Sequence, residues 1–195
     1  MARNDTREKI IIKGAELIYA QGFNATGLQQ ILQAAGIPKG SFYFYFKNKE
    51  DFGAAVIDYF NAMISGIFTR HLNDSKMPPL KRLEKLFETF ESIFQKSGYT
   101  LGCPIGNLSL ELADTNERLR IKLESVIEKL IAHIESCLKE AQRGKSIPAG
   151  LNTADTAHFI FHGFEGAVLN MKVVKSVEPF RVFRNCMFGY LDNIK

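Results

Sequence analysis

Three stretches of this 195-residue chain hold the residues most able to do chemistry. In "GIPKGSFYFYFKNKED" five successive aromatics, Phe42 to Phe46, stand between Lys39 on one side and Lys47 and Lys49 on the other. In "LGCPIGNLSLEL" Cys103 directly precedes Pro104, a residue suited to the first position of a helix. In "HFIFHGFEG" His158, His162 and Glu165 share one helical face.

The aromatic run suits nucleic acid. On a helix begun near Pro38, Phe42 and Phe46 turn the same way and pack inward on Ile31, Leu32 and the first helix. Tyr43, Phe44 and Tyr45 are too many to bury beside them, and they share an outer surface with Lys39, Ser41 and Lys49. In a major groove, lysine meets guanine acceptors and apolar faces meet thymine methyls. Tyrosine hydroxyls and Lys49 would hold phosphates and set the register. The competing reading is a tightly packed helix with Tyr43 and Tyr45 in the core and only their hydroxyls at the surface.

Cys103 lies where unpaired N–H groups and the helix dipole favour a thiolate, the requirement for a sensor of electrophiles or oxidants. No Lys or Arg adjoins it, and a buried cysteine is commonly inert. The His158, His162 and Glu165 face has metal-ligand chemistry. On a Phe-rich helix, however, the same residues serve as hydrogen-bonded packing groups, so no metal and no cofactor is expected.

The elements that position these residues are all helices. The first runs from about Asp5 to Gln21, with Gly22 suited to a left-handed stop. Thr26 and Gln29 carry a capping-box pattern for a short second helix. "AAGIPKG" supplies a glycine-containing turn to a third, which makes a helix-turn-helix. Asn48 caps a long fourth helix to about Leu72, and further helices follow at about 80–95, 104–112, 116–141, 153–173 and 178–193. The expected fold is all-α, with a helix-turn-helix domain over 1–47 and a larger helical domain over 48–195.

Composition agrees with an ordinary globular protein, 46% hydrophobic and 24% charged. No apolar run approaches the roughly 20 residues needed to cross a bilayer, and "MARNDTREK" is too polar for a signal peptide, so a cytosolic protein is expected. Cys103, Cys137 and Cys186 match no zinc spacing and read as reduced thiols. Net charge is +4, and residues 1–50 hold seven Lys/Arg against four acids, so most of the excess sits beside the helix-turn-helix.

Residues of about 7 to 54 resemble the DNA-binding domain of the tetracycline-repressor (TetR/AcrR) family of bacterial transcription regulators. The stretch "ATGLQQILQAAGIPKGSFYFYFKNKEDF" carries the resemblance: a threonine, a helix, an Ala-Gly turn, Lys and Ser about a glycine, an aromatic-rich helix, and Phe-x-x-Lys-Glu. It implies that Thr26 touches a phosphate and that Gln29 lies at the groove edge. It likewise implies that Lys39, Gly40, Ser41, Tyr43 and Phe44 face bases or sugars, while Tyr45 and Lys49 grip the backbone. Tyr45 stands where the family often has histidine, Leu32 where it often has alanine, and Phe44 is bulkier than many residues at its position. These departures bear on base preference.

A regulator of this type is a homodimer, because two recognition helices about 34 Å apart read successive major-groove faces of operator DNA. The last two helices, rich in Phe and carrying Gly163, Gly166 and Ala167, are the expected interface; the alternative is that they close the monomer core. The middle helices would enclose an apolar effector pocket lined by Phe87, Phe90, Phe94, Cys103, Leu108 and Phe161, although most such stripes are simple core. "GCPIGN" is also similar to a "Gly-Cys-x-x-Gly-Asn" segment of a TetR subgroup that includes regulators of reactive electrophiles. The expected function is a repressor released by a small apolar effector or by modification of Cys103. The rival is a helical-bundle carrier or enzyme, but no Gly-rich phosphate loop, G-x-S-x-G or H-E-x-x-H occurs to support catalysis.

Overall fold

The computed structural model describes residues 3–193, with nine α-helices, one 3₁₀ turn and no strand among them. In order these are α1 (Arg3–Gln21), α2 (Leu28–Ala35), the 3₁₀ turn (Lys39–Ser41), α3 (Phe42–Tyr45), α4 (Lys49–Leu72), α5 (Pro79–Lys96), α6 (Pro104–Leu112), α7 (Glu117–Arg143), α8 (Thr153–Val174) and α9 (Glu178–Asn193). The all-α expectation holds, and α4 to α9 begin and end within two residues of the positions read from the sequence.

The chain groups into two compact units. One comprises Met1–Met63 with Pro104–Val126; the other comprises Ile64–Cys103 with Ile127–Lys195. A division at residue 47 follows the end of the helix-turn-helix along the sequence, whereas these units follow packing, and α6 joins the helix-turn-helix.

In the first unit, Ile10, Ala15 and Ile18 of α1, Ile31 and Leu32 of α2, and Phe52, Val56 and Ile57 of α4 are buried together with Phe42 and Phe46. The rings of Phe42, Phe46 and Phe52 meet in three contacts with centroids 5.2 to 5.9 Å apart, aromatic pairing that adds to burial. The α2 helix stops at Gly36, whose φ of 65° lets its N–H turn back to the Gln33 and Leu32 carbonyls. Asn48 opens α4, its Oδ1 accepting the Asp51 N–H at 2.7 Å.

Two local features differ from the expected pattern. The helix cap of α2 is Gly27, whose N–H is accepted by Gln30 Oε1 at 2.9 Å, one residue beyond the expected Thr26 and Gln29. The third helix is a 3₁₀ turn followed by four α-helical residues, with Pro38 as its cap. By length and composition α4 is also long and apolar enough to cross a membrane, contrary to the sequence expectation. Val56, Ile57, Phe60, Ile64 and Phe68 are nevertheless buried within the protein, as in a core helix.

The second unit is built on phenylalanine. Phe87, Phe90 and Phe94 of α5 pack on Phe164 of α8 and Phe180 and Phe183 of α9, with neighbouring centroids from 5.3 Å apart. Arg82 is buried among acceptors: Nε donates to the Met77 carbonyl, and Nη1 to the Leu72 carbonyl and to Glu140 at 2.7 Å. With Nε and Nη1 partnered in this way, one of the partners being a carboxylate, a buried cation is tolerated.

Candidate nucleic-acid interface

The recognition segment sorts its aromatics by direction. Phe42 and Phe46 are each 1% exposed, whereas Tyr43 and Phe44 between them are 69% and 61% exposed. A large aromatic left in water lacks the usual burial that stabilises a fold, so this pair presents apolar surface to the outside. The Tyr43 ring meets Phe42 edge-on at 5.5 Å and that of Phe44 meets Tyr45 at 5.2 Å, which stiffens both before any partner arrives. Lys39 and Gly40 are exposed beside them, and Ser41 and Tyr45 are half-buried. Gln29 is exposed near the start of α2.

Two expected DNA contacts are turned inward. Thr26 is fully buried, its hydroxyl donating to the Gly22 carbonyl at 2.6 Å and accepting from Gln21 Nε2 at 3.2 Å. It ties the end of α1 to the start of α2 and offers no atom to a phosphate. Lys49 donates from Nζ to the Phe23 carbonyl at 2.8 Å and lies 4.7 Å from the centre of the Phe23 ring. Burial lowers its pKa, partly opposed by the negative charge of Glu111. The exposed cation at this end is Lys47, which the sequence reading did not single out because its neighbour Lys49 fitted the pattern.

The residues expected to line an effector site are all buried, and Phe87, Phe90 and Phe94 are packed ring against ring with Phe164. Phe161 touches the same Phe164 at 6.5 Å. Leu108 belongs to the first unit, whereas the other five belong to the second. Cys103 is buried and hydrogen-bonded to Glu165 of α8. Burial raises the pKa of Glu165, and the Cys103 hydrogen bond partly offsets that rise. The other carboxylate oxygen of Glu165, Oε1, is buried without a hydrogen-bond partner. Spacing along α8 groups Glu165 with His158 and His162, whose rings are 5.7 Å apart. Among the described residues no group of three His, Cys, Asp or Glu could hold a metal.

Comparison with known proteins agrees with this geometry. The family model "Bacterial regulatory proteins, tetR family" matches residues 10–56, and "Tetracyclin repressor-like, C-terminal domain" matches residues 79–187, more than half of the chain. The chain belongs to the tetR family of bacterial regulatory proteins. It is 31% identical to the HTH-type transcriptional repressor DhaR of Mycobacterium sp. (strain GP1), over 98% of this chain and 94% of that one. It is 28% identical to the repressor NemR of Escherichia coli K12, over 90% and 88%. Among solved structures, a regulatory protein TetR from Rhodobacter sphaeroides superposes with a TM-score of 0.86 at 30% identity, covering 92% of this chain and 95% of that one. The reduced form of E. coli NemR superposes with a TM-score of 0.87 at 28% identity, covering 97% and 96%.

As a tetR-family protein the chain is a DNA-binding transcription regulator, and the match over residues 10–56 takes in α2, the 3₁₀ turn and α3. Within this tetR-family helix-turn-helix Gln29, Lys39, Gly40, Tyr43 and Phe44 are all exposed.

Proposed function

We propose that the protein is a homodimeric repressor that inserts α3 of each subunit into the major groove of one operator half-site. The observation that carries this reading is the alternation on α3, where buried Phe42 and Phe46 fix the helix while exposed Tyr43 and Phe44 face outward. Lys39, Gly40 and Ser41 approach base edges and sugars, Gln29 lies at the groove edge, and Tyr45 and Lys47 contact the backbone. The named relatives DhaR and NemR are repressors, which supports that sense of regulation here.

Dimerisation runs through α8 and α9. Leu169 and Val173 of α8 and Val182 and Tyr190 of α9 are exposed apolar residues, and a groove of about 780 Å³ lies between the two helices beside Gly163, Gly166 and Ala167. Such a patch is what a second subunit covers. The site of action is the cytoplasm, where the bacterial operator lies.

The effector is a small apolar compound, or a thiol-reactive one that modifies Cys103. On addition to an activated alkene, the Cys103 S–C bond forms as the alkene π bond breaks, its electron pair moves onto the neighbouring carbonyl as an enolate, and the thiol proton, taken up by the hydrogen-bonded Glu165 carboxylate, is returned to the enolate carbon. The relative NemR was solved in a reduced form, which supports a redox-sensitive reading of Cys103 here.

The DNA reading is tested with Tyr43→Ala. Fluorescence anisotropy on duplexes selected from a random library should show weakened sequence-selective binding, while sedimentation shows an unchanged dimer. Native-strength binding by this variant would remove Tyr43 from the interface and the reading with it. A helical carrier of neutral ligands, by contrast, would show little dependence on salt.

A further inference from the structure

The turn between α1 and α2 is gripped by a side chain that lies 88 positions further along the chain. Glu111, next to the last residue of α6, accepts the Phe23 N–H on Oε1 at 3.0 Å and the Asn24 N–H on Oε2 at 2.9 Å. Both are charge-assisted bonds from consecutive backbone amides. The carboxylate comes so close to the chain that a Cβ on Gly22, where φ is 93°, would lie 2.8 Å from Oε1. Lys49 in turn donates to the Phe23 carbonyl at 2.8 Å. Phe23 is thus held at its N–H by an anion from α6 and at its carbonyl by a cation from α4.

The location bears on DNA binding. Residues 22–27 join α1 to α2, and α2 carries the turn that leads into α3, so the orientation of this link bears on where Tyr43 and Phe44 point. Glu111 lies in the segment matched by the C-terminal family model, Phe23 and Asn24 in the segment matched by the N-terminal one, and all three belong to the same compact unit. Nothing in the DNA contact pattern calls for a carboxylate here, since an acid touching DNA would be repelled by phosphate.

We propose that Glu111 is a positioning residue for operator recognition, its two-point clamp on Phe23 and Asn24 fixing the helix-turn-helix in the orientation that binds DNA selectively. The inference rests on the DNA-binding reading and is independent of any role for Cys103. It makes Glu111 a residue that never touches DNA yet sets selectivity through the turn it holds.

The test uses the full-length native protein, Glu111→Gln and Glu111→Asp. Glutamine keeps the shape but loses the charge and can accept at only one of its two end atoms; aspartate keeps the charge and shortens the reach. Three quantities are read: hydrogen exchange of the Phe23 and Asn24 amides by NMR, affinity for the selected operator, and affinity for shuffled DNA. In E111Q both amides should exchange faster and operator affinity should fall at least about fivefold, the lower end of typical coupling between sites. Shuffled-DNA affinity should stay within about twofold of native, because Tyr45 and Lys47 still meet the phosphate backbone. E111D should lie between native and E111Q. A merely structural loss would weaken both DNA affinities together.

If the amides exchange faster in either variant while operator affinity remains native, the clamp is irrelevant to recognition and the proposal is overturned. The same holds if both DNA affinities fall in proportion. If E111Q does not fold, the E111D comparison decides by these criteria. Failure of the native protein to select any duplex would instead overturn the DNA-binding reading itself.

Discussion

Replacing Thr26 by valine separates a buried tie from a phosphate contact. The side chain is fully buried, and its hydroxyl bridges the Gly22 carbonyl at 2.6 Å and Gln21 Nε2 at 3.2 Å. Valine has nearly the same shape but can neither donate nor accept. The Gly22 carbonyl, in a half-buried residue, loses its hydroxyl donor; a polar group left unsatisfied in the interior costs about 1–3 kcal/mol, and the lower part of that range applies here. Gln21 Nε2 is less affected, because it also lies 3.2 Å from Gln30 Oε1. The extra methyl returns up to about 0.8 kcal/mol of burial. The expected net loss is about 1 kcal/mol, which lowers the melting temperature of a chain this size by about 2–4 °C. That leaves enough stability for binding at 25 °C. Circular dichroism on heating would read the first effect and operator anisotropy at 25 °C the second. The structure predicts a lowered melting point with operator affinity within about twofold of native. An unchanged melting point with clearly weaker operator binding would refute the reasoning and return Thr26 to the phosphate backbone.

Two further outcomes concern the cysteines. Cys103→Ser should bind operator as the native protein does but lose its release by N-ethylmaleimide, read by anisotropy before and after treatment; release that persists would move the sensor elsewhere. Cys137 is buried with Sγ donating to the Pro79 carbonyl at 3.2 Å, and burial pushes its thiol up to about 12 from 9.0. The unfolded thiol therefore loses its proton first, so the stabilising contribution is complete below pH 9 and is lost as pH rises toward 12. Urea unfolding of native protein and Cys137→Ala across this range should show a shallower decline for the variant. Parallel curves would indicate that the thiol titrates as it does in solvent.

What the sequence made legible follows from local periodicity. Phe42 and Phe46, four apart, were readable as an inward pair, and the three aromatics between them as too many for that face; Tyr43 and Phe44 are indeed the exposed ones. Asn48 was readable as a cap because its partner N–H lies three residues away. The Thr26 pattern misled because an equally good pair, Gly27 and Gln30, stands one residue on, and only the buried surroundings of Thr26 decide between them.

Longer-range roles left no local trace. Nothing near Glu111 in the sequence shows that its carboxylate meets the Phe23 and Asn24 amides, nor anything near Lys49 that it turns to the Phe23 carbonyl. The effector list shows a different limit. Helical spacing identified Phe87, Phe90 and Phe94 as inward, but it cannot tell a face that lines a cavity from one filled by other rings, and here Phe164 fills it. Glu165 was grouped with two histidines by spacing along α8, whereas its hydrogen bond is to Cys103, 62 positions earlier in the sequence.

The most direct test of the central claim is anisotropy of the native protein on a duplex recovered by selection from a random library, compared with its shuffled counterpart at 50 and 200 mM salt. A groove-reading dimer with phosphate contacts from both subunits should prefer the selected duplex by about 10³-fold or more and lose affinity for both steeply as salt rises. Equal affinity for the two duplexes at both salt concentrations would contradict the assignment of α3 as a recognition helix.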